Sequence, residues 1–337
     1  MTLQESVAHY GETELDSGST GPGRDEHASV VVQDIARRRR PDAHVIVFAN
    51  EKGGVGKSTL AFHCALALAH SGSRVLAIDC DRRQQTFHRL LEARDATMRT
   101  LKVGLPRPNH VVLDKQSGAL LMQEIERLGG GCDFVLIDLP GHDSPIARRA
   151  IALADTVVTP VNCSPADMDA LGGINPVSRR LRQPGPFAAV VMLLQEERVA
   201  RGLGPFDWVV AMNRVRRCEQ RLIASADRDL TTMCGPLGFR LVEGLTERLA
   251  YRELLNFGLC HLDLKLIPGL GRARPSHSRE LRKLVEGLQL PQAPSARSTA
   301  ARAAVVRRPH APVSARTADG YREALYAAAM PLGVGAG

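Results

Sequence analysis

The sequence predicts an α/β protein, a doubly wound and mostly parallel sheet with helices on both faces, flanked by two tails. Two observations carry that expectation. Between residues 44 and 290 short apolar runs alternate with stretches of helical period, the order that a parallel sheet with crossover helices imposes. The 337 residues are 44% hydrophobic and 24% charged, enough apolar mass to bury a sizeable core, which excludes a chain disordered throughout, a collagen or a disulfide mini-protein.

Taken in chain order, strands are expected at His44–Ala49, Ser73–Asp79, Asp133–Asp138, Asp155–Pro160, Ala188–Leu193 and Asp207–Asn213. Helices are expected at Lys57–Ser71, Gln84–Arg99, Gly118–Leu128, Ser144–Leu153, Ala166–Leu181, Cys218–Met233, Arg248–Asn256 and Ser278–Leu288. Thr100–Ser117 and Gln183–Phe206 fit the alternation poorly and read as insertions or irregular connections. Residues 1–43 show no sustained period and read as a disordered leader, whose closing run Arg37 to Arg40 is taken as solvated charge rather than a nucleic-acid contact. The Ala-, Arg-, Pro- and Ser-rich residues 291–337 read as a flexible basic tail with a short helix near Tyr321–Ala329.

Charge is concentrated rather than spread. The net +8 is matched by the excess of ten arginines and lysines over two glutamates between Pro268 and Thr317, so the overall pI says little about the rest of the chain. Seven cysteines (64, 80, 132, 163, 218, 234 and 260) form no C-x-x-C pair and read as reduced cysteines, mostly small core residues. No apolar run approaches a membrane span and the first twenty residues lack a signal-peptide pattern, so a cytoplasmic protein is expected.

The chemistry begins at Asn50-Glu51-Lys52-Gly53-Gly54-Val55-Gly56-Lys57-Ser58-Thr59, directly after a strand and opening a helix. Glycines let successive N–H groups point inward and the helix N-terminus adds partial positive charge, so this segment is a phosphate-binding loop. Gly53, Gly54, Val55, Gly56, Lys57, Ser58 and Thr59 would line the phosphates of ATP, with Lys57 bridging the β- and γ-phosphates and the Ser58 hydroxyl on Mg²⁺. Three fixed glycines, two lysines and a hydroxyl arise by chance in such a chain on the order of once in ten thousand. Glu51 stands where the ordinary G-x-x-x-x-G-K-[ST] loop has glycine, and Lys52 is an additional lysine at its start.

Lys52–Ser58 resembles the deviant K-G-G-x-G-K-[ST] loop of the ParA/MinD family of P-loop NTPases. The resemblance implies that Lys52 reaches across an ATP-bound homodimer to the partner's nucleotide. Two facing nucleotides concentrate negative charge that a second cation per site offsets. It also implies that Asp79-Cys80-Asp81 is switch I, with Asp81 positioning the attacking water and Asp79 nearer the metal; solvated loop acids are the plain alternative. Asp138-Leu139-Pro140-Gly141 resembles Walker B and switch II, with Asp138 on the metal's water and the Gly141 N–H sensing the γ-phosphate. Asn213-Arg214 resembles a pair whose asparagine reads the adenine edge, against the alternative of a strand-ending turn. Arg214, Arg217 and Arg221 recur at helical spacing with Arg228 beyond; they are candidates for a DNA backbone, and a solvated helix face explains them equally well.

Within the family, Asp79–Arg94, Pro140–Ser144, Asp207–Arg214 and Tyr251–Leu264 are similar to the MipZ branch, regulators of division-site placement. The likeness covers about His44 to Leu290. It implies a ParB-like partner, nonspecific double-stranded DNA and the tubulin-like FtsZ as contacts, and a nucleoid-associated gradient highest near the poles. His142 and Cys163-Ser164-Pro165 depart from the family pattern and bear on the partner surface. A plain ParA-type cargo positioner is the alternative. A membrane-bound MinD type would need a basic amphipathic C-terminal helix, and residues 319–337 carry Arg322 as their sole basic residue. An iron–sulfur relative would need paired cysteine ligands. A helix-turn-helix domain would need more than 43 unpatterned residues.

Overall fold

Residues 27–216, 218–267 and 275–293 are described by the structure, a computed structural model; within them the side chains of 249, 250 and 275–277 are left aside. In chain order the elements are α1 (Ala28–Ala36), β1 (His44–Phe48), α2 (Lys57–His70), β2 (Val75–Asp79), α3 (Thr86–Leu101), β3 (Asn109–Val112), α4 (Gly118–Leu128) and β4 (Phe134–Asp138). There follow α5 (Pro145–Leu153), β5 (Thr156–Val161), α6 (Pro165–Met168), β6 (Gly172–Ile174), β7 (Leu181–Pro184), α7 (Pro186–Ala200) and β8 (Asp207–Met212). The last are α8 (Gln220–Leu237), β9 (Arg240–Glu243), α9 (Leu249–Leu255), a 3-10 turn (Asp263–Lys265) and α10 (Pro275–Gly287).

Seven strands form one sheet in the order β3-β2-β4-β1-β5-β8-β9, every pairing parallel. The expected doubly wound sheet is therefore present. β1, β2, β4, β5 and β8 fall on the expected strands to within a residue or two. β1 lies at the centre, with Ile46 opposite Leu136 on β4 and Thr156 on β5. Its apolar residues are buried on both faces because both faces are covered. Ile46 and Phe48 join the layer of α2, α3 and α10, while Val45 and Val47 join the layer of α1, α4, α5, α7 and α8. α2 is buried almost all round, between the sheet and its neighbours α3 and α10, which is why its sequence lacks a polar face.

Three expectations are corrected. The leader reading of residues 1–43 fails for its end, because Ala28, Val31, Val32 and Ile35 line one side of α1 and are buried against α5 and α7. Three consecutive valines hide the helical period, and tertiary packing overrides their weak propensity. Arg40 is likewise no free charge: it pairs with Asp155 at 2.6 Å, and Asp155 in turn accepts from the Val45 N–H at 2.9 Å. Ala188–Leu193, expected as a strand, lies inside α7, where Phe187, Ala188, Val191 and Leu194 are buried at helical spacing; a short apolar run cannot be told from a strand by period alone. The expected helix Ala166–Leu181 is instead the single turn α6 followed by the antiparallel pair β6–β7. A Cβ on Gly172 would stand 2.7 Å from Leu181 Cδ1 across that pair, so glycine permits the close approach.

β3 and β9, short edge strands, were not anticipated. Residues 1–26, Arg217, 268–274 and 294–337, including the expected helix near Tyr321 and most of the basic tail, lie outside the described residues. No helix among the described residues is long and apolar enough to cross a membrane.

Candidate functional site

The C-terminal ends of β1, β2, β4 and β8 converge, and the loops leaving them hold the residues singled out above. Between β1 and α2 the chain turns through Gly54 (φ 79°) and Gly56 (φ 90°), conformations that cost other residues strain. Gly56 is the residue before the first turn of α2 and is doubly constrained, since a Cβ there would lie 2.5 Å from Asn213 Nδ2.

The loop is tied down from several directions. The buried Asn50 side chain donates to Pro160 O at 2.9 Å and accepts from the Lys52 N–H at 2.9 Å. Asn213 donates to Val55 O at 3.0 Å and accepts from the Leu245 N–H at 3.2 Å. That side chain is 3% exposed, so the structure gives Asn213 the duty of a strap holding the loop rather than of an open edge for adenine. Arg214 Nη1 donates to Gly54 O at 2.6 Å. Because α8 begins only at Gln220, Arg214 does not share a helix with Arg221 and Arg228, and the helical stripe expected from spacing is corrected to a loop arginine plus two helix arginines.

Lys57 is 7% exposed and donates to Lys52 O at 3.2 Å. Burial pulls its pKa down, while Asp138 and Asp81 oppose that shift. Asp138, at the end of β4, is fully buried and neither carboxylate oxygen has a hydrogen-bond partner, although the Ser58 hydroxyl lies near enough to draw its pKa down. Burial first, and then Asp79, push that pKa up to about 8. An orphaned buried carboxylate beside a hydroxyl and further acids is an oxygen donor set that suits a hard divalent cation such as Mg²⁺.

Asp79 is spent differently: one oxygen accepts from the Asp81 N–H at 2.9 Å and the other from the His88 N–H at 3.0 Å. It braces the start of the loop that carries Asp81, whose own carboxylate accepts from the Arg83 and Gln84 N–H groups at 3.1 and 3.0 Å. Gly141 abuts the phosphate loop, where a Cβ would stand 3.4 Å from Gly53 and from Lys57 Nζ.

Two features escaped the sequence. The Lys52 ammonium is paired with Asp167 of α6 at 2.5 Å, the aspartate side chain 8% exposed. A cavity of about 480 Å³ is lined by Val215, Arg216, Cys218, Thr246, Glu247, Arg248 and Arg252. Glu247 gathers Arg214 at 3.1 Å, Arg216 at 2.5 Å and Arg252, and the Arg216 contact above all holds its carboxyl down at about 2. Neither Asp167 nor Glu247 lies in a motif. Each acquires its part from a contact made by a distant segment.

The family model described as ATPase MipZ matches residues 44–292. The chromosome-partitioning ATPase Soj of Thermus thermophilus is 31% identical over 147 residues, 38% of this chain and 59% of that relative. The chromosome partitioning protein ParA of Caulobacter vibrioides is 27% identical over 169 residues, 41% and 62% of the two chains. The chain thus spans about six-tenths of the length of these curated relatives. Among solved structures, the ATP complex of a Cyanothece McdA variant superposes with a TM-score of 0.51 at 18% identity, covering 74% of this chain and 98% of that one, a likeness of fold.

Proposed function

Since the chain belongs to the MipZ family of ATPases over residues 44–292, we propose that it binds ATP with Mg²⁺, hydrolyses it slowly and acts as a switch, monomeric when empty or ADP-bound and an ATP-sandwich homodimer otherwise. The observation that supports this most is the convergence of the strapped Lys52–Ser58 loop with the orphaned Asp138 carboxylate. The loop N–H groups cradle the phosphates and Lys57 turns from Lys52 O to the β- and γ-oxygens. Ser58 and Asp138 hold the cation, which when bound offsets phosphate charge. Asp81 orients the attacking water, and the Gly141 N–H marks whether a γ-phosphate is present. The 480 Å³ cavity has room for the base.

Lys52 acts in trans on the partner's nucleotide. Removing its amine leaves interfacial phosphate charge unpaired, at a cost of about 2 to 5 kcal/mol. Lys52→Ala accordingly binds ATP through Lys57 yet stays monomeric by light scattering; a dimer of undiminished affinity refutes the trans role. Asp81→Ala traps a long-lived ATP dimer, because a water-orienting group acts on the transition state more than on binding. Turnover equal to wild type removes Asp81 from that role.

The dimer binds double-stranded DNA without sequence preference. A ParB-like protein raises dimer formation locally, and the dimer inhibits FtsZ assembly, which yields a cytoplasmic, nucleoid-associated gradient highest near the poles. This layer rests on the family. Fluorescence localisation of wild type and Asp81→Ala, with FtsZ sedimentation in parallel, tests it. A uniform signal with unaffected FtsZ polymers leaves the alternative, a ParA-type ATPase positioning another cargo on DNA.

A further inference from the structure

We propose that the β6–β7 hairpin, through Arg180 and Arg182, joins Arg221 and Arg228 of α8 in one surface that grips the phosphate backbone of double-stranded DNA, an inference that rests on the DNA-binding reading above.

The hairpin is inserted between α6 and α7, where the alternation of the fold would otherwise place only a crossover. Its tip is held by its own backbone rather than by burial. Asn175 Oδ1 accepts from the Val177 and Ser178 N–H groups at 2.9 and 3.0 Å, and Asn175 and the Arg179–Arg180 segment exchange backbone bonds at 2.9 Å. Val177, at the apex, is 91% exposed. A projecting element ordered in this way contacts a partner without an ordering cost at the moment of binding.

Leu181 packs against the hydrophobic core, while Arg180 before it and Arg182 after it, at the register shift of the β6–β7 pair, are both exposed. Arg179 is used differently: its guanidinium pairs with Asp229 of α8 at 2.5 Å, which pins the hairpin to that helix and takes one acid out of the surface. On α8 the buried side is Ala226, Leu230, Met233 and Leu237, and Arg221 and Arg228 lie opposite it, exposed and two turns apart, about 10 Å. β7 and α8 pack on one another, so the four arginines belong to neighbouring elements. Asp227 is an exposed acid on α8 between them.

Arginines with no exposed aromatic interleaved among the described residues suit phosphate contact rather than base stacking, as do their planar forks. Placement links the surface to the nucleotide. The hairpin follows β5 and α8 follows β8, both leaving the sheet edge that holds the phosphate loop, and α6 between β5 and the hairpin carries the Asp167 that pairs with Lys52. Dimerisation through that edge would double the surface.

The test uses the full chain with ATP and a fluorescein-labelled duplex of mixed sequence, read by anisotropy across a salt series, with ATP-dependent dimerisation followed in the same samples. Arg180→Ala/Arg182→Ala is expected to bind at least about tenfold more weakly and to lower the slope of log affinity against log salt by about 2 per protomer engaged. Arg180→Lys/Arg182→Lys, which keeps the charge, is expected to restore the slope. An alanine variant that dimerises and matches wild type in slope and affinity, while Arg221→Ala/Arg228→Ala fails to bind, overturns the hairpin contact and leaves the DNA reading standing. A loss seen only on phosphatidylglycerol vesicles overturns it too. A wild-type ATP dimer that binds no duplex at all overturns the DNA reading and this proposal together.

Discussion

Replacing Asp167 by asparagine tests the link between the cis ion pair and the trans role of Lys52. In the structure the ammonium sits 2.5 Å from Asp167, with side-chain exposures of 37% for the lysine and 8% for the aspartate. To reach a partner's phosphates Lys52 must leave this pair, and the buried carboxylate is then left without its cation. A fully exposed pair contributes up to about 1 kcal/mol, whereas stranding one member of a buried pair costs about 3 to 5 kcal/mol. The intermediate burial here places the cost near 1 to 2 kcal/mol per protomer. A symmetric dimer breaks two such pairs, so the brake on association totals about 2 to 4 kcal/mol. Asp167→Asn removes it, because the neutral amide neither holds the lysine as strongly nor suffers from its departure. The ATP dimer should tighten by about 30-fold or more, since each 1.4 kcal/mol is a factor of ten. Sedimentation equilibrium with ATP, in an Asp81→Ala background so that hydrolysis does not deplete the dimer, measures this directly. Lys52→Ala/Asp167→Asn should lose the gain, since there is no lysine to release. A dimer constant for Asp167→Asn equal to or weaker than its Asp81→Ala parent refutes the reasoning and leaves the ion pair a mere clasp on α6.

Further predictions concern the buried charges and the added helix. The folded-state pKa of Asp138 is about 8, above its usual value, so its protonated form stabilises the fold below about pH 4 and that contribution is lost as pH rises through 8. Denaturation of the nucleotide-free protein should show stability falling by up to about 4 kcal/mol between pH 5 and 8 on this account, and Asp138→Asn should flatten the decline; equal slopes in both proteins would contradict it. Arg94, fully buried, donates to Asp263 at 2.7 and 2.8 Å and holds that carboxyl well below the usual range, so Arg94→Ala should cost about 3 to 5 kcal/mol in urea denaturation, and a loss under about 1 kcal/mol would show the pair to be dispensable. Val32→Ala, in the fully buried side of α1, should lower stability by about 1 to 3 kcal/mol if α1 is part of the folded unit, as read by thermal unfolding, and an unchanged midpoint would return residues 28–36 to the leader.

The legible part of this protein is its contiguous chemistry. The placement of Lys52 to Ser58, Asp79 to Asp81 and Asp138 to Gly141 at strand ends could be read directly because each is a contiguous segment following an apolar run, whereas the sequence put Asp79 nearer a metal and only the structure shows it bracing the next loop. The five core strands were legible for a similar reason: burial on both faces writes itself as an apolar run. Where a segment's state depended on what it packs against, local pattern failed. The valines of α1 needed α5 and α7, and the apolar run in α7 belongs to a fifteen-residue helix whose buried side packs with α1 and α5. Gly172 and Gly173 belonged to a hairpin that their sequence did not distinguish from the interior of a helix. Tertiary structure alone decided the rest of the site. Asn213 became a strap because β8 ends against the phosphate loop, Lys52 found Asp167 across more than a hundred residues, and Glu247 gathered arginines from one loop and a helix. Such contacts depend on the sheet order, in which neighbours in space are far apart in the chain, and no local spacing encodes them.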